Sequence, residues 1–229
     1  MNESGLSSKV VFSVGPIEIT DTVVTTWIIM LCLGLISWLV TRRLSLKPSR
    51  LQTAMEGIII SIESAIVGIA PQQAKQLLPF IASIWIFLVI ANLSGLIPGL
   101  HSPTRDLSAT SALAILVFLS VHWFGIKSQG LKRYLHHYLT PSPILLPFHL
   151  VSEITRTVAL AVRLFGNIMS LEMAALLILF VAGFLAPVPI LMLHIIEALV
   201  QAYIFGMLAL VYVAGGIQSQ QLRQQSKEE

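Results

Sequence analysis

The run FHLVSEITRTVALAVRLFGNIMSLEMAALLILFVAGF, residues 148–184, decides the fold class of this chain. It contains no proline and only isolated glycines, so it predicts one long helix. That helix would be about 54 Å long at roughly 1.5 Å per residue, whereas the hydrocarbon core of a bilayer is only ~30 Å thick. The helix must therefore tilt strongly, project from the membrane or break.

The composition gives the same class for the whole chain. Of its 229 residues, 55% are hydrophobic and only 11% are charged, whereas a soluble domain carries about 25% charged residues. One core could not hide this much apolar surface, so the excess must face lipid. The sequence thus predicts an all-α, polytopic membrane protein. The net charge of +3 comes from sparse basic residues between apolar runs. This pattern is typical of the loops that set membrane topology, and it does not indicate a surface that binds nucleic acid.

Five apolar runs are long enough to span a bilayer. A sixth segment, Arg50 to Ala70, carries Gln52, Glu56 and Glu63 on one stripe, which predicts an amphipathic helix on the cytoplasmic surface. A spanning helix with a buried polar stripe is the alternative. The prediction is five transmembrane helices plus one amphipathic surface helix, with the last two helices long and tilted. The five runs are Val23 to Val40, Leu77 to Ile97, Leu107 to Ile126, the run from Phe148, and Ile190 to about Ile217.

The basic residues set the predicted orientation. They follow the first run, flank the second, follow the third and lie beyond the last, at Arg42, Arg43, Lys47, Lys75, Lys127, Lys132, Arg133, Arg223 and Lys227. By the positive-inside rule this side is cytoplasmic. We therefore expect a single membrane domain, 1–229, with an exterior N-terminal segment 1–22, helices in 23–126, a helix hairpin in 141–217 and a cytoplasmic tail 218–229.

Ionisable side chains concentrate in the predicted hairpin. By helical spacing Arg156, Arg163, Asn167 and Ser170 share one face, whereas Glu172 is half a turn out of phase. Glu153 lies near the start of the same helix. Such groups are costly at membrane depth and are functional by default, although snorkelling or an ion pair with a neighbouring helix is the alternative for any one of them. Arginine keeps its charge, so it acts in an ion pathway as an electrostatic partner or barrier.

The last helix carries a second polar stripe. His194, Glu197 and Gln201 follow at spacings of three and four, and Tyr212 lies close to the same face. His, Glu and Gln can hold water and relay protons. Counted from the Pro187–Pro189 turn, Glu172 and Glu197 differ in level by about 10 Å, so water would bridge part of the gap.

Other chemistries fit the sequence less well. His194-x-x-Glu197 has a metal-ligand spacing, but no second copy exists. No phosphate-binding loop and no G-x-S-x-G motif is present. The sequence therefore predicts an ion pathway with no metal, no cofactor and no catalytic residues, and an independent secondary ion transporter stays open as an alternative.

Two motifs resemble a known family. Leu160-Ala161-Val162-Arg163-Leu164-Phe165-Gly166-Asn167, with an acid five residues later, is similar to the signature of subunit a of rotary, F-type ATP synthases. The second motif also matches, with His194, then Glu197, then Gln201-Ala202-Tyr203-Ile204-Phe205. The order of elements agrees over nearly the whole chain.

The resemblance implies a non-catalytic stator subunit of the membrane sector, CF(0), in the bacterial inner membrane. It would face a rotating ring of c subunits, and peripheral stalk b subunits would be further partners. Arg163 would meet the ring carboxylate between two half-channels, and Glu172, His194, Glu197 and Gln201 would belong to the exterior half-channel or its junction with Arg163. Thr157 replaces a frequent proline and Met169-Ser170-Leu171 replaces small residues, which suggests a divergent branch and leaves H⁺ or Na⁺ as the transported ion.

Overall fold

The computed structural model describes residues 10–14, 17–42, 50–97, 100–130, 146–183 and 188–228. Two short strands, β1 (Val10–Val14) and β2 (Ile17–Thr20), precede the helices. Six helices and one short 3-10 turn, Pro103–Arg105, follow. The helices are α1 (Asp21–Thr41), α2 (Arg50–Ile69), α3 (Ala74–Ser94), α4 (Leu107–Gln129), α5 (Leu146–Ala182) and α6 (Val188–Glu228).

The prediction of a polytopic helical membrane protein is confirmed. All six helices are long and apolar enough to cross a bilayer. The only strands in the described residues form a small antiparallel hairpin, β1 with β2, inside the segment predicted as the N-terminal exterior region. The hairpin leads directly into α1, which begins at Asp21.

Helix α2 is the least apolar of the six spans. Its Ile62 and Ile66 are buried against the other helices, whereas Ile58 and Ile59 are exposed. Gln52 is also buried and donates a 2.8 Å hydrogen bond from Nε2 to Oε1 of Glu56. Length and composition allow α2 to span, so the division into five crossings and one surface helix stays a prediction.

The last two helices are longer than a bilayer core. Helix α5 has 37 residues and α6 has 41, which corresponds to about 55 and 61 Å. Helix α5 is continuous through Arg163, which excludes a break. A helix of this length must therefore tilt in the membrane or project from it. The polar segment from 218 to 228, which lies in the predicted cytoplasmic tail 218–229, continues α6 because it is rich in Gln and has no Gly or Pro.

The core lies where α3 packs against α6. Leu77, Ile81 and Leu88 of α3 and Phe205 of α6 are fully buried. Small residues of α6 allow this close approach. At Gly206 a Cβ atom would lie only 2.9 Å from Cδ2 of Trp85, so a hydrogen is all that fits there.

One end of the bundle gathers several helix ends, and we call it the Arg105 end. Asp106 caps α4 by accepting a 2.9 Å hydrogen bond from the Ser108 amide, and its other oxygen accepts one from Thr22 at the start of α1. Ser102 Oγ donates to the Ala91 carbonyl at the end of α3. The starts of α1 and α4 and the end of α3 therefore share one level, as the predicted alternation of these three helices requires.

Several sequence predictions fall outside the described residues. These are the basic residues Arg43, Lys47, Lys132 and Arg133, the turn residue Pro187, and the side chains of the segment 218–229.

Candidate ion pathway

Two contacts fix the register of α5 against α6. Nδ2 of Asn167 donates a 2.8 Å hydrogen bond to Oε1 of Gln201, and the guanidinium carbon of Arg156 lies 5.7 Å from the centre of the Tyr212 ring. Asn167 lies eleven residues after Arg156, and Gln201 lies eleven residues before Tyr212. Both contacts therefore describe the same antiparallel register, and predicted site residues meet in both.

Arg163 lies on the outward face of α5. Its neighbours Leu164 and Ile168 are fully buried, so the helix turns its apolar stripe to the bundle. Arg163 itself is exposed, and among the described side chains it has no ion-pair partner. By the register it lies level with the buried Phe205. The charge is thus directed away from the chain's own core.

Two polar side chains of α6, Gln201 and His194, face the interior of the bundle. Gln201 is 1% exposed and His194 is 2% exposed. Nε2 of His194 has no hydrogen-bond partner within the described part of the chain. A buried polar atom without a partner is costly, so this imidazole nitrogen is a candidate position for water or a transported proton.

Glu172 contacts a residue that the sequence analysis did not single out. Its Oε2 lies 3.2 Å from Nη1 of Arg105, in the 3-10 turn. Within the described residues it makes no hydrogen bond to His194 or Glu197. No hydrogen bond joins any two of Glu172, His194, Glu197 and Gln201 within the described residues, so the hydrated cluster between α5 and α6 stays a prediction.

The levels of Glu172 and Glu197 differ from the sequence estimate. Glu172 is five residues after Asn167, so the observed register places it beside Ile196, next to Glu197. The expected difference of about 10 Å is wrong by this register, since α5 ends at Ala182, several residues before Pro187. Glu197 is half-buried, and a water bridge between the two carboxylates stays a prediction.

The remaining predicted residues divide between the two ends of α5. Arg156 is exposed over Tyr212, and Ser170 is exposed on the Arg163 face. Glu153 lies 3.4 Å from Nε2 of His122 on α4. Glu153 thus contacts a neighbouring helix, and Glu172 forms an ion pair with the 3-10 turn.

Sequence reasoning missed the support of this site. The sequence analysis assigned no role to Arg105 or to Asn92. Asn92 is fully buried and donates to the Ala198 carbonyl of α6 at 3.1 Å. The signal that could have found it is a lone amide in an apolar span, which needs a partner helix.

In the described residues no three His, Cys, Asp or Glu side chains come together in a group able to hold a metal ion.

Comparison with known proteins gives a consistent result. The family model for the ATP synthase A chain matches residues 23–214. The chain is 67% identical over 218 residues to ATP synthase subunit a 1 of Hahella chejuensis, covering 95% of this chain and 92% of that one. It is 61% identical over 223 residues to ATP synthase subunit a 2 of Pelobacter propionicus, covering 97% and 98%. It is 54% identical over 228 residues to ATP synthase subunit a of Legionella pneumophila, covering 99% of each.

Proposed function

Because the chain belongs to the ATP synthase A chain family, we propose that it is the ion-translocating stator subunit of a bacterial rotary ATP synthase. It has no catalytic site of its own. It couples the flow of H⁺ or Na⁺ through the inner membrane to rotation of a ring of c subunits, and peripheral stalk b subunits hold it in place.

The observation that carries this proposal is the outward position of Arg163. A permanent cation at membrane depth is costly unless a partner compensates it. Arg163 is exposed and has no ion-pair partner among the described side chains. A carboxylate on the ring would compensate the charge, and the guanidinium would favour its ionised form at the point where an ion must leave.

The two ends of α5 then serve two half-channels. We assign the Arg105 end, with Glu172, His194, Glu197 and Gln201, to the exterior half-channel. The opposite end, with Arg156, Tyr212 and Glu153, leads to the cytoplasm. Arg163 lies between the two groups along α5, so its fixed charge opposes direct leakage of a cation from one half-channel to the other.

Site-directed cross-linking in purified membranes tests this assignment. A photoreactive residue at Val162 or Gly166, beside Arg163, should capture a small hydrophobic chain present in many copies per complex. The matched control is Leu35 on α1, which is also exposed but belongs to another helix. Capture of the same chain with equal yield from Leu35, or no capture from α5, would refute a ring at Arg163. An independent secondary transporter would give no such product.

A further inference from the structure

Glu172 is held by an ion pair from outside its own helix hairpin. Nη1 of Arg105 lies 3.2 Å from Oε2, and the two side chains are only 17% and 14% exposed. In water such pairs contribute little, but partial burial reduces screening and strengthens the attraction. Within the described residues this is the one ion pair between an arginine and an acid.

The position of Arg105 is fixed by a buried hydrogen-bond network. Thr104 Oγ1 donates to Oδ1 of Asn92 at 2.8 Å and lies 2.7 Å from Oγ of Ser102. Asn92 in turn donates to the Ala198 carbonyl. Thr104 and Asn92 are fully buried. The turn that carries Arg105 is thus held to α3, and through Asn92 to α6. This keeps the guanidinium beside Glu172.

The two oxygens of Glu172 have different surroundings. Oε2 accepts from Arg105, whereas Oε1 is buried and has no hydrogen-bond partner among the described residues. Oε1 faces Gly95, where a Cβ atom would lie only 3.0 Å away. Because Gly95 has no side chain, Oε1 can lie against it. One oxygen is therefore paired with a fixed cation, whereas the other is buried without a partner among the described residues and is the one that a mobile cation would use.

From this geometry we infer that Arg105 is a positioning residue that competes with the transported cation for Glu172. The inference rests on the proposed function. A buried carboxylate without a counter-ion would bind H⁺ or Na⁺ tightly and release it slowly. Conduction needs binding that is strong enough for entry and weak enough for exit. Because Arg105 neutralises one side of the carboxylate, it weakens binding at the other oxygen, and the ion passes on.

The test is ATP synthesis by the reconstituted complex at a fixed membrane potential, with H⁺ and Na⁺ varied separately on the exterior side. Arg105→Gln should lower the half-saturating exterior concentration of the transported ion by roughly tenfold, because Glu172 loses its competing charge. Arg105→Lys should stay close to wild type, since it keeps the charge. Lys75→Gln, at the exposed start of α3, controls for loss of a charge elsewhere.

Gly95→Ala is a second, independent variant. Its methyl group would crowd Oε1 of Glu172, so the half-saturating concentration should rise. This variant keeps the inference falsifiable if Arg105→Gln does not accumulate in the membrane. The ion whose titration shifts also identifies the transported species.

Three outcomes would overturn the inference. The half-saturating concentration could be unchanged or higher in Arg105→Gln, or it could fall in Arg105→Lys as much as in Arg105→Gln. It could also be unchanged in Gly95→Ala. A purely structural brace would lower the amount of complex without this pattern. Arg163→Ala in the same vesicles tests the proposed function separately. If Arg163→Ala still couples ion flow to ATP synthesis, the proposed function fails whatever Arg105 does.

Discussion

The amide of Asn167 donates a 2.8 Å hydrogen bond to the buried amide of Gln201. This contact places Arg163, one helical turn earlier on α5, level with Phe205 of α6. Phe205 is 1% exposed, so α6 presents an apolar wall at that level while the guanidinium faces outward. The charge of Arg163 and the apolar side chain of Phe205 thus lie at one level of the α5–α6 pair, and the polar side chain of Gln201 lies one helical turn away.

Replacement of Arg163 by alanine should abolish ATP-driven ion pumping into membrane vesicles. The physical reason is the loss of the one permanent charge that faces outward at this level. Because Arg163 is exposed, the variant should still accumulate in the membrane, which immunoblotting of washed membranes checks.

Arg163→Lys should also fail to pump. Lysine is a compact charge that can deprotonate in an apolar environment, and it lacks the planar fork of the guanidinium. Wild-type pumping by the alanine variant would remove Arg163 from the mechanism. Pumping by the lysine variant alone would show that charge is enough and geometry is not.

Replacement of Gln201 by leucine should destabilise the packing of α5 on α6. It leaves the Asn167 amide without its partner, which costs about 1 kcal/mol for a hydrogen bond between membrane helices. Thermal denaturation of the complex in mild detergent measures the loss. In the double variant Asn167→Leu/Gln201→Leu the two losses should not add, because both remove the same bond. Full additivity would contradict a shared hydrogen bond.

The helical spans could be predicted because each rests on a local property. The long run from Phe148 has no proline, and α5 is continuous from Leu146 to Ala182. The family was also recognisable, since the motifs around Arg163 and Gln201 are short and contiguous.

The partners of Glu172 and Asn92 could not be predicted, because they depend on how distant segments pack. Arg105 is separated from Glu172 by 67 positions, and no periodicity connects a 3-10 turn to a helix. The segment after Ile217 was predicted only as a cytoplasmic tail, and its helical structure was not predicted, although its composition has no helix breaker. The register of α5 against α6 could not be predicted either, because the sequence does not fix the residue at which each helix ends near the turn.

Cysteines introduced at Arg50 and Gln72 should both react with a membrane-impermeant reagent added from the cytoplasmic side. The polar stripe of α2 predicts a surface helix, whose two ends lie on the same side. Arg50 and Gln72 are exposed, whereas Ala70 is buried and would label poorly. Inverted and right-side-out vesicles separate the two sides. Labelling of either cysteine only from outside would show that α2 spans, as its length and composition allow.

Gly206→Ala should reduce the stability of the α3–α6 contact. The added Cβ would lie 2.9 Å from the Trp85 ring, and that ring also packs on Tyr203 with centroids 5.4 Å apart. Overpacking of this kind costs about 1–3 kcal/mol, which should lower the melting temperature of the purified complex. Gly215→Ala is the matched control, since nothing lies within 4 Å of its Cβ position. An equal loss in both variants would point to backbone effects instead.

Water access to the α5–α6 interface should extend from the Arg105 end to Gln201. Glu172 and His194 each have a buried polar atom without a hydrogen-bond partner among the described residues, which is costly unless water reaches it. Cysteines at Glu172 and Gln201 should therefore react with silver ions added from outside, and ATP-driven pumping should fall. Ala202 is fully buried beside Gln201, and a cysteine there should stay unreactive. Leu199 is exposed on an apolar face. If cysteines at Leu199 or Ala202 react while those at Glu172 and Gln201 do not, the polar stripe serves helix packing and the exterior pathway lies elsewhere.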